Sequence, residues 1–260
     1  MPKIVFFDID NTLMDAFTYI PESTVRAVAQ LRKNGHRAVL CSGRTRGFIR
    51  DPGLMAMDFD GIISGCGTQI EYRGEMVFQY LFEKDDALFA VETAKKYRFP
   101  IILEGPKHPY LDKEDFIGDH YVQRVEEAMG ADLLDIRSHW GDWVMSKFSC
   151  AVNHETEEEC LRIYAERYDF LRHNTEVIEI VPRGYDKCTG MAHLCAYLGI
   201  DRKDTYAVGD SANDIGMLQW AGTGIAMGSG QAAAKEAADY VTAGIRDDGV
   251  EKALQHFSLI

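Results

Sequence analysis

Apolar and polar positions along the chain fall into two regimes. Ile4–Phe7 is an unbroken apolar run that turns polar at Asp8, the pattern of a short strand buried on both faces. Over residues 21–33, Val25, Val28 and Leu31 recur at helical spacing and Gly35 supplies a stop, which predicts an amphipathic helix. The run over 38–40 ends in small polar residues at Ser42 and Gly43, and DGIISGCG repeats the pattern a third time. Near the other end TYAVGDSAND and GIAMGSG supply a fourth and a fifth run, trailed by helix-like segments over Ile215–Trp220 and 232–238. Strands alternating with helices predict an α/β fold, a parallel sheet covered on both faces.

Between about residues 80 and 182 the pattern differs. It predicts a helix over 85–97, a strand over Ile101–Glu104, a helix near 121–129 and a strand over 147–152. A helix over 155–168 and strands near 170–172 and 177–181 follow. This α+β stretch interrupts the alternating fold, which resumes around Lys187. The expected organisation is a discontinuous core domain, 1–79 and 183–260, with an inserted second domain over 80–182.

Composition narrows the partners. Lysine plus arginine (28) against aspartate plus glutamate (41) leaves a net charge of −13, which disfavours phosphate backbones and anionic membranes and favours a small-molecule partner. The chain carries no basic stretch followed by a long apolar region and no 18-residue apolar run, so the expectation is a cytoplasmic protein, monomeric by default. Six dispersed cysteines without a C-x-x-C, and eight dispersed histidines, predict reduced thiols and no zinc site.

Ligands of open parallel sheets bind beyond the carboxyl ends of the strands. Those ends, or the turns beside them, carry Asp8 and Asp10, then Ser42, Lys187 ahead of a helix, and Asp210 with Asp214. Acids gathered this way repel, and an all-oxygen cluster that faces phosphate suits Mg²⁺. Residues two apart on an extended segment face one side, so Asp8 is placed to attack phosphorus while Asp10 carries a proton to the leaving oxygen and then activates water. Ser42 and the neighbouring amides suit phosphoryl oxygens, and Lys187 the charge shared by phosphate and nucleophile. Gly43 and Arg44 read either as phosphate contacts or as loop and surface residues. Asn213 reads either as a helix cap or as a group orienting Lys187 or a metal, and Asp214 as a metal ligand or as a carboxylate that holds one in place.

The set resembles the haloacid dehalogenase superfamily of phosphatases. Asp8-Ile9-Asp10-Asn11-Thr12 is similar to its first motif, D-x-D-x-T/V; Ser42 in CSGR to the second; Lys187 in GYDKCTGM to the third; and Gly209, Asp210, Asn213 and Asp214 in GDSANDIGML to the fourth. A finer resemblance is to the Cof-like subgroup, subfamily IIB, through GIAMGSG and DDGV. It implies a Rossmann-like core, an inserted α+β cap of type C2B, and Mg²⁺-dependent hydrolysis of sugar phosphates and other small phosphomonoesters through an aspartyl-phosphate. It also implies metal ligands at Asp8, the Asp10 main-chain carbonyl, Asp210, Asn213 and Asp214. Asn11 stands where the subgroup has Gly, and Cys66-Gly67-Thr68 where it has N-G-A. The alternatives are a phosphosugar mutase of the same superfamily, a non-catalytic phosphometabolite-binding regulator, and a receiver domain, against which Asp10 and the insertion both argue.

Overall fold

The computed structural model describes residues 2–15, 19–172 and 176–260. The chain forms two compact units, one of Met1–Gly43, Arg50–Gln79 and Asp186–Ile260, the other of Arg44–Ile49 and Tyr80–Tyr185.

In the first unit β1 (Ile4–Phe7) is followed by α1 (Glu22–Lys33), β2 (Arg37–Cys41), α2 (Pro52–Met55), β3 (Gly61–Ser64), β4 (Gln69–Tyr72) and β5 (Glu75–Gln79). The second unit contributes α3 (Lys84–Tyr97), β6 (Ile101–Glu104), β7 (Pro109–Leu111), α4 (His120–Met129), β8 (Leu134–Asp135), β9 (Lys147–Ala151), α5 (Glu157–Tyr164), β10 (Tyr168–Arg172) and β11 (Val177–Pro182). The chain then returns through α6 (Lys187–Leu198), β12 (Thr205–Gly209), α7 (Ile215–Trp220), β13 (Thr223–Ala226), α8 (Ala232–Ala237), β14 (Tyr240–Val241) and α9 (Gly249–His256).

The first unit's sheet runs β14-β13-β12-β1-β2-β3-β4-β5 and is parallel from β14 to β3, as the alternating pattern predicts. β1 lies at its centre: Ile4 pairs with Arg37 on one side and Thr205 on the other. All four β1 side chains are buried, as a strand covered on both faces requires, at about 1.5–3 kcal/mol for each large apolar side chain. Ile4 and Phe6 pack with Val39, Cys41 and Ile63 against Met191, Leu194 and Cys195 of α6. Helix α1 forms as predicted, but it buries Ser23, Thr24, Ala27, Val28 and Leu31 and leaves Val25 exposed. The antiparallel hairpin β4–β5 escapes the apolar pattern because β5 lies at the sheet edge and is largely exposed; Arg73 and Gly74, both at positive φ, make its turn.

The second unit's sheet runs β10-β11-β9-β6-β7-β8, antiparallel except between β7 and β8. One face, including Leu103, Phe148 and Ile180, packs against Ala90, Val91 and Ala94 of α3 and Cys160 and Tyr164 of α5. The helix expected over 155–168 covers only Glu157–Tyr164. Tyr168 begins β10 instead, with its ring stacked 5.5 Å from Phe82, so tertiary packing overrides the helical pattern there. Arg44–Ile49 belongs to this unit because Phe48 packs against the cluster containing Ile102, Leu111 and Phe116. Among the described residues, no helix is long and apolar enough to cross a membrane.

Candidate active site

Asp8 follows β1 directly, and its N–H donates to Val208 O of β12 at 2.9 Å, so the strand pairing carries on into the acid's own backbone. The chain then turns sharply. Asn11 takes φ 58 and donates its N–H to Met14 O at 2.7 Å, while Leu13 and Met14 both donate to Ile9 O. Asn tolerates the left-handed region better than most residues, which is what the departure from Gly requires. Ser42 follows β2, buried, with its N–H donating to Ile63 O at 2.9 Å.

Lys187 is the first residue of α6. Asp186 caps that helix through a reciprocal box in which Thr189 N–H donates to Asp186 Oδ1 at 2.6 Å and Asp186 N–H donates to Thr189 Oγ1 at 3.0 Å. The Lys187 ammonium, buried at 2% exposure, donates to Asp8 Oδ1 at 2.6 Å, Asp214 Oδ1 at 2.5 Å and Asn213 Oδ1 at 3.3 Å. The second oxygen of Asp214 accepts the N–H groups of Asp210 and Ser211 at 2.8 and 3.0 Å. Asp214 therefore ties the end of β12 to the lysine. Asn213 makes no cap contact at the start of α7; its oxygen accepts from Ser211 Oγ at 2.9 Å and from Lys187.

Carboxylate oxygens of Asp8, Asp210 and Asp214 lie within 4.8 Å of one another, all three residues buried. Burial, then the charge of Asp214, pushes the Asp8 carboxyl well above its ordinary range although Lys187 opposes the shift. The same two causes raise Asp210 to about 7. Burial works against the Lys187 charge, but Asp214 and then Asp8 outweigh it and hold the amine above its usual value. Three carboxylates against one ammonium leave an anionic cluster, and its all-oxygen donor set suits a small hard dication.

The first unit thus gathers Asp8, Lys187, Asp210, Asn213 and Asp214, with Ser42 on the adjacent strand end and Asp10 in the turn after β1. Gly43 is buried at the boundary of that unit, and Arg44 begins the segment belonging to the second.

The structure shows steric and backbone contacts that the motif reading does not contain. A β-carbon on Gly209 would lie 2.6 Å from Asp214 Cβ, so only glycine lets that carboxylate fold back onto the strand end. The GIAMGSG segment does more than turn. Met227 N–H donates to Gly209 O at 2.9 Å, Gln231 N–H donates to Asp210 O at 2.7 Å, and a β-carbon on Gly230 would lie 2.9 Å from Asp210 Cα. Asp186 and Thr189, three apart ahead of an apolar helix, are the capping-box signal available in the sequence.

The chain is similar to known proteins over nearly its whole length. The haloacid dehalogenase-like hydrolase family matches residues 5–254 of the chain. The chain is 27% identical, over 99% of its length and 98% of the relative's, to the 5-amino-6-(5-phospho-D-ribitylamino)uracil phosphatase YitU of Bacillus subtilis. Among solved structures, a Geobacillus kaustophilus protein superposes with a TM-score of 0.85 at 28% identity, covering all of both chains. A sugar phosphatase of haloacid dehalogenase subclass IIB superposes with a TM-score of 0.83 at 25% identity, covering 99% of this chain and all of the other.

Proposed function

Since the chain belongs to the haloacid dehalogenase-like hydrolases and is a phosphatase, we propose that it hydrolyses small phosphomonoesters of the sugar-phosphate class, with Mg²⁺, through an aspartyl-phosphate on Asp8. The observation that carries this reading is the Lys187 ammonium shared between Asp8 and Asp214, at 2.6 and 2.5 Å, beside a third acid, Asp210. Asp8 is the one carboxylate of the cluster that emerges from the central strand with Asp10 two residues beyond it.

Asp8 attacks phosphorus and the ester bond to the leaving oxygen breaks. Asp10 gives that oxygen its proton, then takes one from the water that cleaves the aspartyl-phosphate, releasing orthophosphate and restoring Asp8. Ser42 binds a phosphoryl oxygen, with Gly43 and Arg44 as further phosphate contacts, and Lys187 neutralises charge on the phosphoryl group and the nucleophile. Asp8 and Asp210 would hold Mg²⁺ together with the Asp10 main-chain carbonyl, and Asn213 stands beside them. Bound there, the ion supplies charge neutralisation for the approach of one anion to another. We assign Asp214 to holding Lys187, because both of its oxygens already accept hydrogen bonds. Residues 80–182 would act as the cap that selects the leaving group.

The test is phosphate release from p-nitrophenyl phosphate and a panel of sugar phosphates, with Mg²⁺ and with chelator, beside Asp8→Asn. The expected result is metal-dependent release that vanishes in the variant while its fold persists. Isomer interconversion without net phosphate release would favour a mutase instead.

A further inference from the structure

We propose that the turn over residues 65–68 is the spacer that sets Ser42 against Lys187, with Cys66 and Gly67 as positioning residues; this rests on the phosphatase reading of those two groups. The turn follows β3 and contains three successive residues at positive φ: Gly65 at 58°, Cys66 at 55° and Gly67 at 85°. A β-carbon disfavours that region, so Cys66 stays there only because its surroundings impose it.

Two contacts impose it, and each reaches a different group of the site. On one side the Cys66 N–H donates to Ser42 O at 3.1 Å, while Ser42 N–H donates to Ile63 O, so the Ser42 backbone is held to β3 and to its turn. On the other side Gly67 abuts the first turn of α6. A β-carbon on Gly67 would collide with the Asp186 carbonyl oxygen and lie 3.1 Å from Gly190 N. A β-carbon on Gly190 would meet Gly67 Cα at 2.9 Å and Ile63 Cγ2 at 2.6 Å. Asp186 is the cap of α6 and Lys187 its first residue, so backbone pressed against Gly67 is the backbone that carries the ammonium. Cys41 adds a weak contact, its thiol 3.7 Å from Lys187 O. Thr68 closes the turn from within by donating Oγ1 to Gly65 O at 2.8 Å and N–H to the same oxygen at 3.2 Å.

A rigid block of three left-handed residues thus stands between the phosphoryl-binding serine and the lysine, touching the backbone of one and the helix start of the other. Small residues at 67 and 190 fix how close the two approach. Widening the block moves Lys187 away from Ser42 without altering either side chain.

The experiment compares native enzyme with Gly67→Ala, Thr68→Val and Thr68→Ser, on p-nitrophenyl phosphate at saturating Mg²⁺, alongside circular dichroism and thermal midpoints. Gly67→Ala is expected to lose about 10²-fold in kcat with little change in KM, the scale of a misplacement near 1 Å. Thr68→Val, which removes one hydrogen bond internal to the turn, is expected to lose roughly three- to tenfold in kcat. Thr68→Ser keeps the hydroxyl and is expected to stay within about twofold of native. A turn that serves stability alone would lower the midpoint and leave kcat at 25 °C unmoved. Folded Gly67→Ala and Thr68→Val enzymes with native kcat therefore overturn the proposal, and if Gly67→Ala does not fold, Thr68→Val decides. Native protein that releases phosphate from no ester overturns the phosphatase reading itself, and this proposal with it.

Discussion

Replacing Asp214 by Asn separates the two roles a motif-IV acid can have, holding Lys187 or holding the metal. The side chain is fully buried, with Oδ1 accepting from Lys187 Nζ at 2.5 Å and Oδ2 accepting from the Asp210 and Ser211 amides. An amide of the same shape has only one acceptor. With its oxygen toward Lys187, its NH₂ faces two N–H donors; flipped, the NH₂ faces an ammonium. Breaking a buried ion pair from one side costs about 3–5 kcal/mol, and Asp8 still pairs with Lys187 at 2.6 Å, so the lower end applies. About 3 kcal/mol in a chain of this size corresponds to roughly 6–12 °C in the thermal midpoint. Loosening the lysine is expected to cost about 10²-fold in kcat, as for other misplaced charge donors. The assay is p-nitrophenyl phosphate turnover against Mg²⁺ concentration, with differential scanning calorimetry. If Asp214 serves the lysine, kcat falls and the apparent Mg²⁺ activation constant stays within about threefold of native. An activation constant raised more than about tenfold, with native kcat at saturating metal, refutes the reasoning and makes Asp214 a ligand.

Other outcomes are equally open to measurement. Asp10→Asn is expected to lose about 10²–10⁴ in rate while retaining binding of orthophosphate as an inhibitor; a smaller loss would move the proton carrier elsewhere. Gly209→Ala forces a methyl to within 2.6 Å of Asp214 Cβ and is expected to lower stability by about 1–3 kcal/mol and turnover with it, read by urea titration and initial rates. His36 Nδ1 accepts the Lys3 N–H at 3.0 Å, which requires the neutral ring, and burial, then nearby positive charge including Lys3, depresses its pKa. Because the folded pKa lies below the unfolded value of about 6.5, this contribution is present above that pH and is lost as pH falls toward the folded pKa. Midpoints of the native protein should thus drop between pH 7.5 and pH 5 more steeply than those of His36→Gln, and parallel curves would exclude the histidine.

The acids were legible because each stands where an apolar run turns polar, and a parallel sheet brings such positions to one edge whatever their separation in the chain. Asp8, Ser42 and Asp210 follow from that rule alone. What the pattern misses is backbone contact. Nothing in the hydropathy of GIAMGSG says that Gly230 presses on the Asp210 backbone, and the steric need for Gly209 appears only when Asp214 folds back onto it. Nor does the sequence show that the segment opening at Arg44, two residues after Ser42, packs through Phe48 in the second unit. Val25 fits the helical period of α1 but stays exposed, while Ser23 and Thr24 are buried, because helix orientation is set by packing and not by the period alone.

β1 lies between β2 and β12, the second arriving only after the whole insertion has been translated. A growing chain on the ribosome therefore carries β1 for the length of that insertion with one of its two hydrogen-bonding edges unsatisfied, an arrangement that slows folding and exposes sheet edge to other chains. At roughly 5–20 residues per second the second unit has time to fold within its own contacts before β12 emerges. Pairing on the second edge of β1, and the first meeting of Asp8 with Lys187, then wait until α6 and β12 have emerged. A product that stops before Asp186 would leave the β12 edge of β1 unpaired and Asp8 without the lysine that meets it in the folded chain.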